Sequence, residues 1–387
     1  MILYGFILTP YIFFRAILPL KIHWGWKVLL TVLTALTAFK NNLLFWLGGP
    51  LFFAPDLSPF ILWSAIILFA LLIFFFILLL ASDIVLLVRK IISAYRKYRC
   101  ALQGKPSPEI RNIPLNKLNL ILFSTAVLLT AAGLYNGIKI PSVKHETVTY
   151  DKDSHLPFKA DGLKIAVLAD LHADKLSTPG QLRKIVQKTN AEKPDVILLL
   201  GDLADGTPQK ISHILEPLKE LHAKYGVYLV PGNHEYYSGF APWMRYFTEQ
   251  GHMVLLNQNH YIQEKDIWIC GVADPAGKRT KDIQPDLTAT FKNIPPHAFT
   301  ILMSHRPDTV AKAGHKGADL QFSGHTHGGM FRGLDYLVGR FNRGFVSGWY
   351  DQGKGKVYVS NGSGIWKGFP IRLGRPSEIT IFILQKK

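Results

Sequence analysis

The chain of 387 residues carries 44 Lys and Arg against 27 Asp and Glu, a formal net charge of +17, and 48% of it is hydrophobic. That length admits two or more domains with separate cores, and the charge points to anionic lipid or anionic substrates, although basic residues also gather beside membrane segments for orientation alone. Basic and aromatic residues are not interleaved as in nucleic-acid binders, which sets that partner aside, and the two cysteines stand in no metal-like spacing.

Composition divides the chain. Before about residue 140, four apolar stretches can be drawn: Ile2 to Leu18, interrupted by Pro10 and Arg15; Val28 to Leu47, which carries Lys40; Pro59 to Leu80, without a charge; and Leu118 to Ile138. A hydrocarbon core takes roughly 20 residues of helix to cross, so these predict a polytopic anchor of four helices over residues 1–138. A cleaved signal peptide is the alternative for the first stretch, but no small-residue cleavage site follows it. Between the third and fourth stretches lie Arg89, Lys90, Arg96, Lys97, Arg99, Lys105, Arg111 and Lys117 against Glu109, whereas Gly48 to Pro59 holds no Lys or Arg. The positive-inside rule makes the basic segment cytoplasmic and puts everything after Ile138 on the periplasmic or extracellular side. Arg15 and Lys40 are functional candidates by their setting, or snorkel to an interface.

A connector, 139–163, carries an edge strand at Val143 to Tyr150. From 164 to 387 the chain reads as a soluble α/β domain. Lys164 to Ala169 is a continuous apolar run, as a strand buried on both faces requires. Val196 to Leu200 and Val227 to Val230 repeat it. Helices are predicted at Thr178 to Asn190 and Pro208 to His222. Further strands follow at Met253 to Leu256, Ile267 to Gly271, Phe299 to Met303 and Leu320 to Phe322, with a short helix from Asp308 to Ala313; Lys356 to Ser360 and Glu378 to Leu384 close the domain. Cys270, inside an apolar strand, is expected as a small core residue.

Polar residues stand at the strand ends, where α/β sheets carry their sites. They are Asp170, His172, Asp202, Asn233, His305, His325 and His327. Mixed nitrogen and oxygen donors of this kind suit divalent Mn, Fe or Zn rather than Ca²⁺ or a thiophilic ion. Seven donors exceed what one such ion takes, so two ions are the economical reading, with a carboxylate between them. The alternation in His325-Thr326-His327 lets two imidazoles leave one segment toward different ions. His234, beside Asn233, stays available to move protons.

The ordered blocks Asp170-Leu171-His172, Gly201-Asp202, Gly232-Asn233-His234-Glu235, His305 and Gly324-His325-Thr326-His327-Gly328-Gly329 resemble the calcineurin-like metallophosphoesterase superfamily, over roughly Lys164 to Leu384. With the apolar first third and the tail Val357 to Gly362 plus Pro370-Ile371-Arg372, the chain resembles the bacterial transmembrane, YkuE-type members. Met330 and the spacing Arg375-Pro376-Ser377-Glu378 depart from the pattern without touching a candidate ligand. The resemblance implies two mixed β-sheets flanked by helices, an αββα sandwich. It implies that Asp170, His172 and His327 hold one metal, that Asp202 bridges, and that Asn233, His305 and His325 hold the second. His234 is then not a ligand but donates a proton to the leaving oxygen or holds the phosphate.

The expected activity is hydrolysis of phosphodiester or phosphomonoester bonds, with lipid or cell-envelope substrates suggested by the external, membrane-tethered site. The alternatives are a hydrolase like those that cleave the pyrophosphate of UDP-2,3-diacylglucosamine, which requires a cytoplasmic domain, and a catalytically inactive membrane scaffold. His213, His222, His252, His260, His297 and His315 are read as surface or capping residues, Asp174 and Asp205 as loop residues, and Glu235 as making a turn hydrogen bond. Asp274 is a candidate support for the site; Arg306, Arg332, Lys367 and Arg372 are candidate phosphate contacts.

Overall fold

The computed structural model describes residues 3–49, 51, 54–106, 113–312, 318–352 and 355–387. Ile2, Glu109, Arg111, His315 and the Ala313 end of one expected helix lie outside the described residues. The chain divides into two units, Met1–Ala132 and Gly133–Lys387.

The first unit is helical: α1 (Leu3–Ile12), α2 (Trp24–Ala38), α3 (Lys40–Gly48), α4 (Pro59–Leu102) and the start of α5 (Leu115–Ile138). Among the described residues, α4 and α5 are long and apolar enough to cross a membrane. α2 and α3 reach that length only as a pair bent by 70°, and α1 with its extension is shorter. The stretch expected as one helix from Val28 to Leu47 therefore breaks at Phe39, just before the polar run Lys40-Asn41-Asn42. α4 runs far past the expected end at Leu80, because the basic segment is rich in Leu, Ile, Ala, Lys and Arg, all compatible with helix, and meets no Gly or Pro until Gly104. Most of the basic residues read as loop thus stand on a helix. Leu8, Ile12, Ala38, Leu72 and Leu79 form this unit's core. Of the two charged candidates in the apolar stretches, Lys40 is 3% exposed, with Nζ 4.4 Å from the Phe69 ring centroid, and Arg15 pairs with Asp83 at 2.5 Å.

The second unit is two six-stranded mixed sheets. One has the order β1-β12-β2-β3-β4-β5, from β1 (Ser142–Tyr150), β2 (Lys164–Leu168), β3 (Val196–Leu199), β4 (Val227–Leu229), β5 (Met253–Val254) and β12 (Glu378–Lys386). The other has the order β10-β11-β9-β8-β7-β6, from β6 (Gln258–Ile262), β7 (Ile267–Gly271), β8 (Phe299–Met303), β9 (Leu320–Ser323), β10 (Gly348–Gln352) and β11 (Gly355–Val359). The connector's edge strand is β1, paired in parallel with β12.

Side-chain alternation builds the layers. Ile165 and Val167 of β2 point into a core shared with Ile269, Ile301, Phe322, Tyr358 and Phe382. Ala166 and Leu168 point the other way, against α6 (Pro179–Ala191), α7 (Pro208–Leu215) and α8 (Asn233–Glu249), where Trp243 and Phe247 are fully buried. Both faces of β2 and β3 are thus covered, the reason those strands read as unbroken apolar runs. Each fully buried Leu, Ile or Phe contributes roughly 1.5–3 kcal/mol. Cys270, Val272, Leu302 and Val310 form a further cluster. α6 opens with a capping box between Thr178 and Gln181 and a Pro in its first turn.

Candidate metal centre

Five strands deliver the candidate ligands. β2, β3 and β4 lie side by side and parallel, as do β8 and β9, and the chain leaves each at its C-terminal end. Past those ends the loops keep pairing: the Asp170 N–H donates to the Gly201 carbonyl at 3.0 Å and the His172 N–H to the Asp202 carbonyl at 3.0 Å.

Five of the seven candidates sit in the left-handed backbone region: Asp170 (φ 54°), His172 (45°), Asp202 (49°), His325 (73°) and His327 (51°). For non-glycine residues this conformation costs of order 1–3 kcal/mol each and concentrates at functional sites. Close approach completes the cradle. A Cβ on Gly232 would lie 2.2 Å from Asp202 Oδ1, and one on Gly324 2.5 Å from Asp170 Oδ2, so both positions require glycine.

The donor atoms gather in two adjacent groups, Asp170–His172–His327 and Asp202–His305–His325, each with its atoms within 4.8 Å of one another. Asp202 Oδ2 faces both: it lies 3.7 Å from His172 Nε2 and 3.2 Å from His305 Nε2. Its other oxygen accepts the His234 N–H at 2.8 Å. Asp170 in turn accepts the His325 N–H at 3.0 Å, which ties a loop of one sheet to a loop of the other. Asn233, 6% exposed, opens α8 with its side-chain oxygen buried and without a hydrogen-bond partner among the described residues. Its neighbours Gly232 and His234 both lie against Asp202, and an orphaned buried amide oxygen is costly unless a cation satisfies it. The donor set therefore fits divalent ions.

Neighbouring groups aim the imidazoles. His305 Nδ1 donates to the Leu200 carbonyl at 2.8 Å, which leaves Nε2 turned toward Asp202. His172 Nδ1 donates to Asp205 at 3.0 Å and presents Nε2, 3.0 Å from His327 Nε2. Burial, with His172 and Arg372 beside it, holds His327 well below the usual imidazole range; burial with Arg306 and His305 does the same for His325. Neutral imidazole is the form that ligates metal. Burial opposes charge on His305, but Asp202 outweighs it and holds the group up to about 10, so a cation there displaces a proton. Burial likewise opposes ionisation of Asp202, yet His305 and His234 hold it well below the usual carboxylate range.

Sequence reasoning missed several supports. Asp205, read as a loop residue, is buried and braces two imidazoles, with Oδ1 3.0 Å from His172 Nδ1 and 2.6 Å from His234 Nδ1. The available signal was its place three residues after Asp202, where the loop turns back under the site. Glu235 makes more than a turn bond: it accepts the backbone N–H groups of Asp202, Leu203, Ala204 and Gly232. Asp174 is buried and pairs with Lys367 at 2.9 Å. Arg372, expected as a phosphate contact, is 1% exposed; it donates to the His327 carbonyl and reaches His327 Nδ1 at 3.2 Å. Arg306 pairs with Asp274 at 3.0 Å. Of the histidines read as surface residues, His252 is buried, while His213, His222, His260 and His297 are exposed. The side chain of His234 is 13% exposed, against 1% for His172 and 0% for His305, which makes it the most open to solvent of the three.

Comparison with known proteins agrees with this geometry. Residues 163–329 match the family described as calcineurin-like phosphoesterase. An uncharacterized metallophosphoesterase of Campylobacter jejuni is 34% identical over 289 residues, covering 74% of this chain and 75% of that protein. The uncharacterized metallophosphoesterase YkuE of Bacillus subtilis is 29% identical over 66% of this chain and 92% of its own. A zebrafish protein (Danio rerio) named transmembrane protein with metallophosphoesterase domain is 29% identical over 69% of this chain and 62% of its own. With strand-end donors grouped for a dinuclear centre of divalent ions, the chain belongs to the calcineurin-like metallophosphoesterases and is a metal-dependent phosphoric ester hydrolase.

Proposed function

We propose that the protein is a membrane-anchored phosphoesterase that hydrolyses phosphodiester or phosphomonoester bonds of lipid or cell-envelope substrates on the periplasmic or extracellular side. Residues 1–138 serve as anchor, 139–163 as connector and 164–387 as the catalytic domain. Asp170, His172 and His327 hold one ion and Asn233, His305 and His325 the other, with Mn, Fe or Zn as the metals. The observation that carries this reading is Asp202, whose Oδ2 faces both donor groups at 3.7 and 3.2 Å, as a bridging carboxylate must.

When bound, such ions supply Lewis acidity, lowering the pKa of water and neutralising charge on phosphoryl oxygens. The chain's own part is positioning and proton movement. Asp170 and Asp202 hold the loops of His325 and His234 through backbone N–H bonds. His234 supplies the proton: burial opposes its charge, but Asp205 and Asp202 outweigh burial and raise it to about 9. It is therefore an imidazolium at neutral pH, able to donate to a departing alkoxide.

The external location rests on the basic end of α4, where Arg89, Lys90, Arg96, Lys97 and Arg99 follow the apolar run. The apolar helices and the zebrafish relative's name support the anchor. The test is turnover of bis-p-nitrophenyl phosphate and p-nitrophenyl phosphate by the full chain with Mn²⁺, beside His325→Ala and Asp202→Asn. Metal-dependent hydrolysis lost in both variants is expected. Absence of both turnover and bound metal in the wild type would refute the reading. A reporter fused after Lys387 that is active only in the cytoplasm would overturn the location.

A further inference from the structure

The membrane unit contains a polar cluster and two cavities that the phosphoesterase chemistry does not use. No charged residue occurs from Pro59 to Ser82 of α4, a longer run than the roughly 20 residues that span hydrocarbon. Asp83 therefore stands at headgroup depth. There Arg15 donates Nε–H to Asp83 at 2.5 Å, one Nη1 hydrogen to Asn119 at 2.8 Å and one Nη2 hydrogen to Ser82 at 3.3 Å. A guanidinium has five N–H donors, so two remain without a partner among the described residues.

A cavity of about 660 Å³ opens beside this cluster, its charged lining Arg15, Asp83, Arg89, Lys90 and Lys97. Asp83, Lys90 and Lys97 recur every seven residues and so share one helix face. Among the described residues, the lining sets four cations against one carboxylate. A second cavity, of about 470 Å³, is lined by Ile17, Leu33, Leu68, Phe75 and Phe123, and also by Asn119. The Arg15–Asn119 bond joins the residue that lines the first cavity to the one that lines the second. A cationic basin at headgroup depth beside an apolar chamber matches one amphipathic ligand with a negative head and a hydrocarbon tail.

We propose that the membrane unit binds an anionic phospholipid, its phosphate on Arg15, Arg89, Lys90 and Lys97 and an acyl chain in the apolar cavity. The site goes beyond the phosphoesterase centre and shares no residue with it, and it requires only that the helices lie in a membrane. Arg15, held by Asp83 and Asn119, presents its remaining N–H groups in a fixed fork, the geometry that suits phosphate. Lys90 and Lys97 add charge that a zwitterionic headgroup answers poorly.

The test is lipid binding by the full chain in detergent, read by native mass spectrometry with a chelator present, so that the state of the catalytic centre does not enter. Phosphatidylglycerol, phosphatidylcholine and glycerol 1-phosphate are the probes. Phosphatidylglycerol is expected to bind at least about ten-fold more tightly than phosphatidylcholine, and the triple variant Arg89→Gln, Lys90→Gln, Lys97→Gln to lose about ten- to a hundred-fold of that affinity. The variant Arg96→Gln, Arg99→Gln, whose residues do not line the cavity, is expected to bind as the wild type does. Equal affinity for the two phospholipids, or an unaffected triple variant, would overturn the proposal. Glycerol 1-phosphate displacing the lipid at equal concentration would overturn the acyl-chain part and leave a site for free phosphate esters.

Discussion

Replacing Glu235 tests whether the site is held from beneath by one buried carboxylate. Oε1 accepts the N–H groups of Leu203 at 2.7 Å and Ala204 at 3.1 Å; Oε2 accepts those of Asp202 at 3.0 Å and Gly232 at 2.7 Å. The residue is 1% exposed, so Glu235→Ala leaves four buried donors unsatisfied. At about 1–3 kcal/mol for each orphaned group, with relaxation and water entry recovering part, the loss is at least about 4 kcal/mol. Domains of this size lose about 2–4 °C per kcal/mol, so the apparent Tm falls by about 10 °C or more. Glu235→Gln keeps the shape but turns an NH₂ toward two N–H donors, and about half the loss is expected. Thermal unfolding followed by tryptophan fluorescence, with a chelator present to remove ligand stabilisation, measures both. Because two of the four donors belong to Asp202 and Gly232, Mn²⁺ affinity falls in parallel. A Glu235→Ala protein within about 1 °C of wild type and with unchanged Mn²⁺ affinity would refute the reasoning.

Asp205→Asn removes the charge that braces His172 and His234; metal affinity is expected to drop about 10- to 100-fold, read by Mn²⁺ titration of activity, and an unchanged titration would contradict the bracing role. Gly324→Ala pushes a methyl against Asp170 Oδ2, where the Cβ distance would be 2.5 Å; weaker metal binding with little change in secondary structure by circular dichroism is expected. His252 gives a pH signature away from the metal centre. Burial holds its imidazole at about 4 against an ordinary 6.5, so the folded chain disfavours the charged form. The associated stability is complete above pH 6.5 and drains away as pH falls toward 4, by about 3 kcal/mol in all. His252→Phe should flatten that slope in denaturant titrations between pH 4 and 7; an unchanged slope would show that other groups carry it.

Much of this protein was legible in its sequence because burial on both faces leaves a local mark. The runs Lys164 to Ala169 and Val196 to Leu200 are apolar at every position after the opening lysine, since helices cover one side of the sheet and the second sheet covers the other. Polar residues placed at the ends of such runs announced the seven candidate ligands, and tertiary structure brings six of them into two adjacent groups and leaves the Asn233 oxygen buried without a partner among the described residues. β6 and β10 left no such mark, since each is largely exposed or half-buried and owes its place to the neighbouring strand. α8 was hidden behind Gly239 and Pro242, residues that helix propensity treats as breaks, although Trp243 and Phe247 anchor the segment.

What sequence alone determined is chemistry carried by residue type and order: oxygen and imidazole donors after strands, an apolar first third, a basic segment within it. What tertiary structure alone decided is which charges meet. Asp205 lies far along the chain from both His172 and His234, yet one of its oxygens touches both; Arg372 reaches His327 across 45 residues; Arg15 finds Asp83 across 68. Nothing local distinguishes these side chains from solvated ones. Their roles come from desolvation, which makes an unpartnered charge costly and favours arrangements in which a buried charge meets an opposite charge or a polar group.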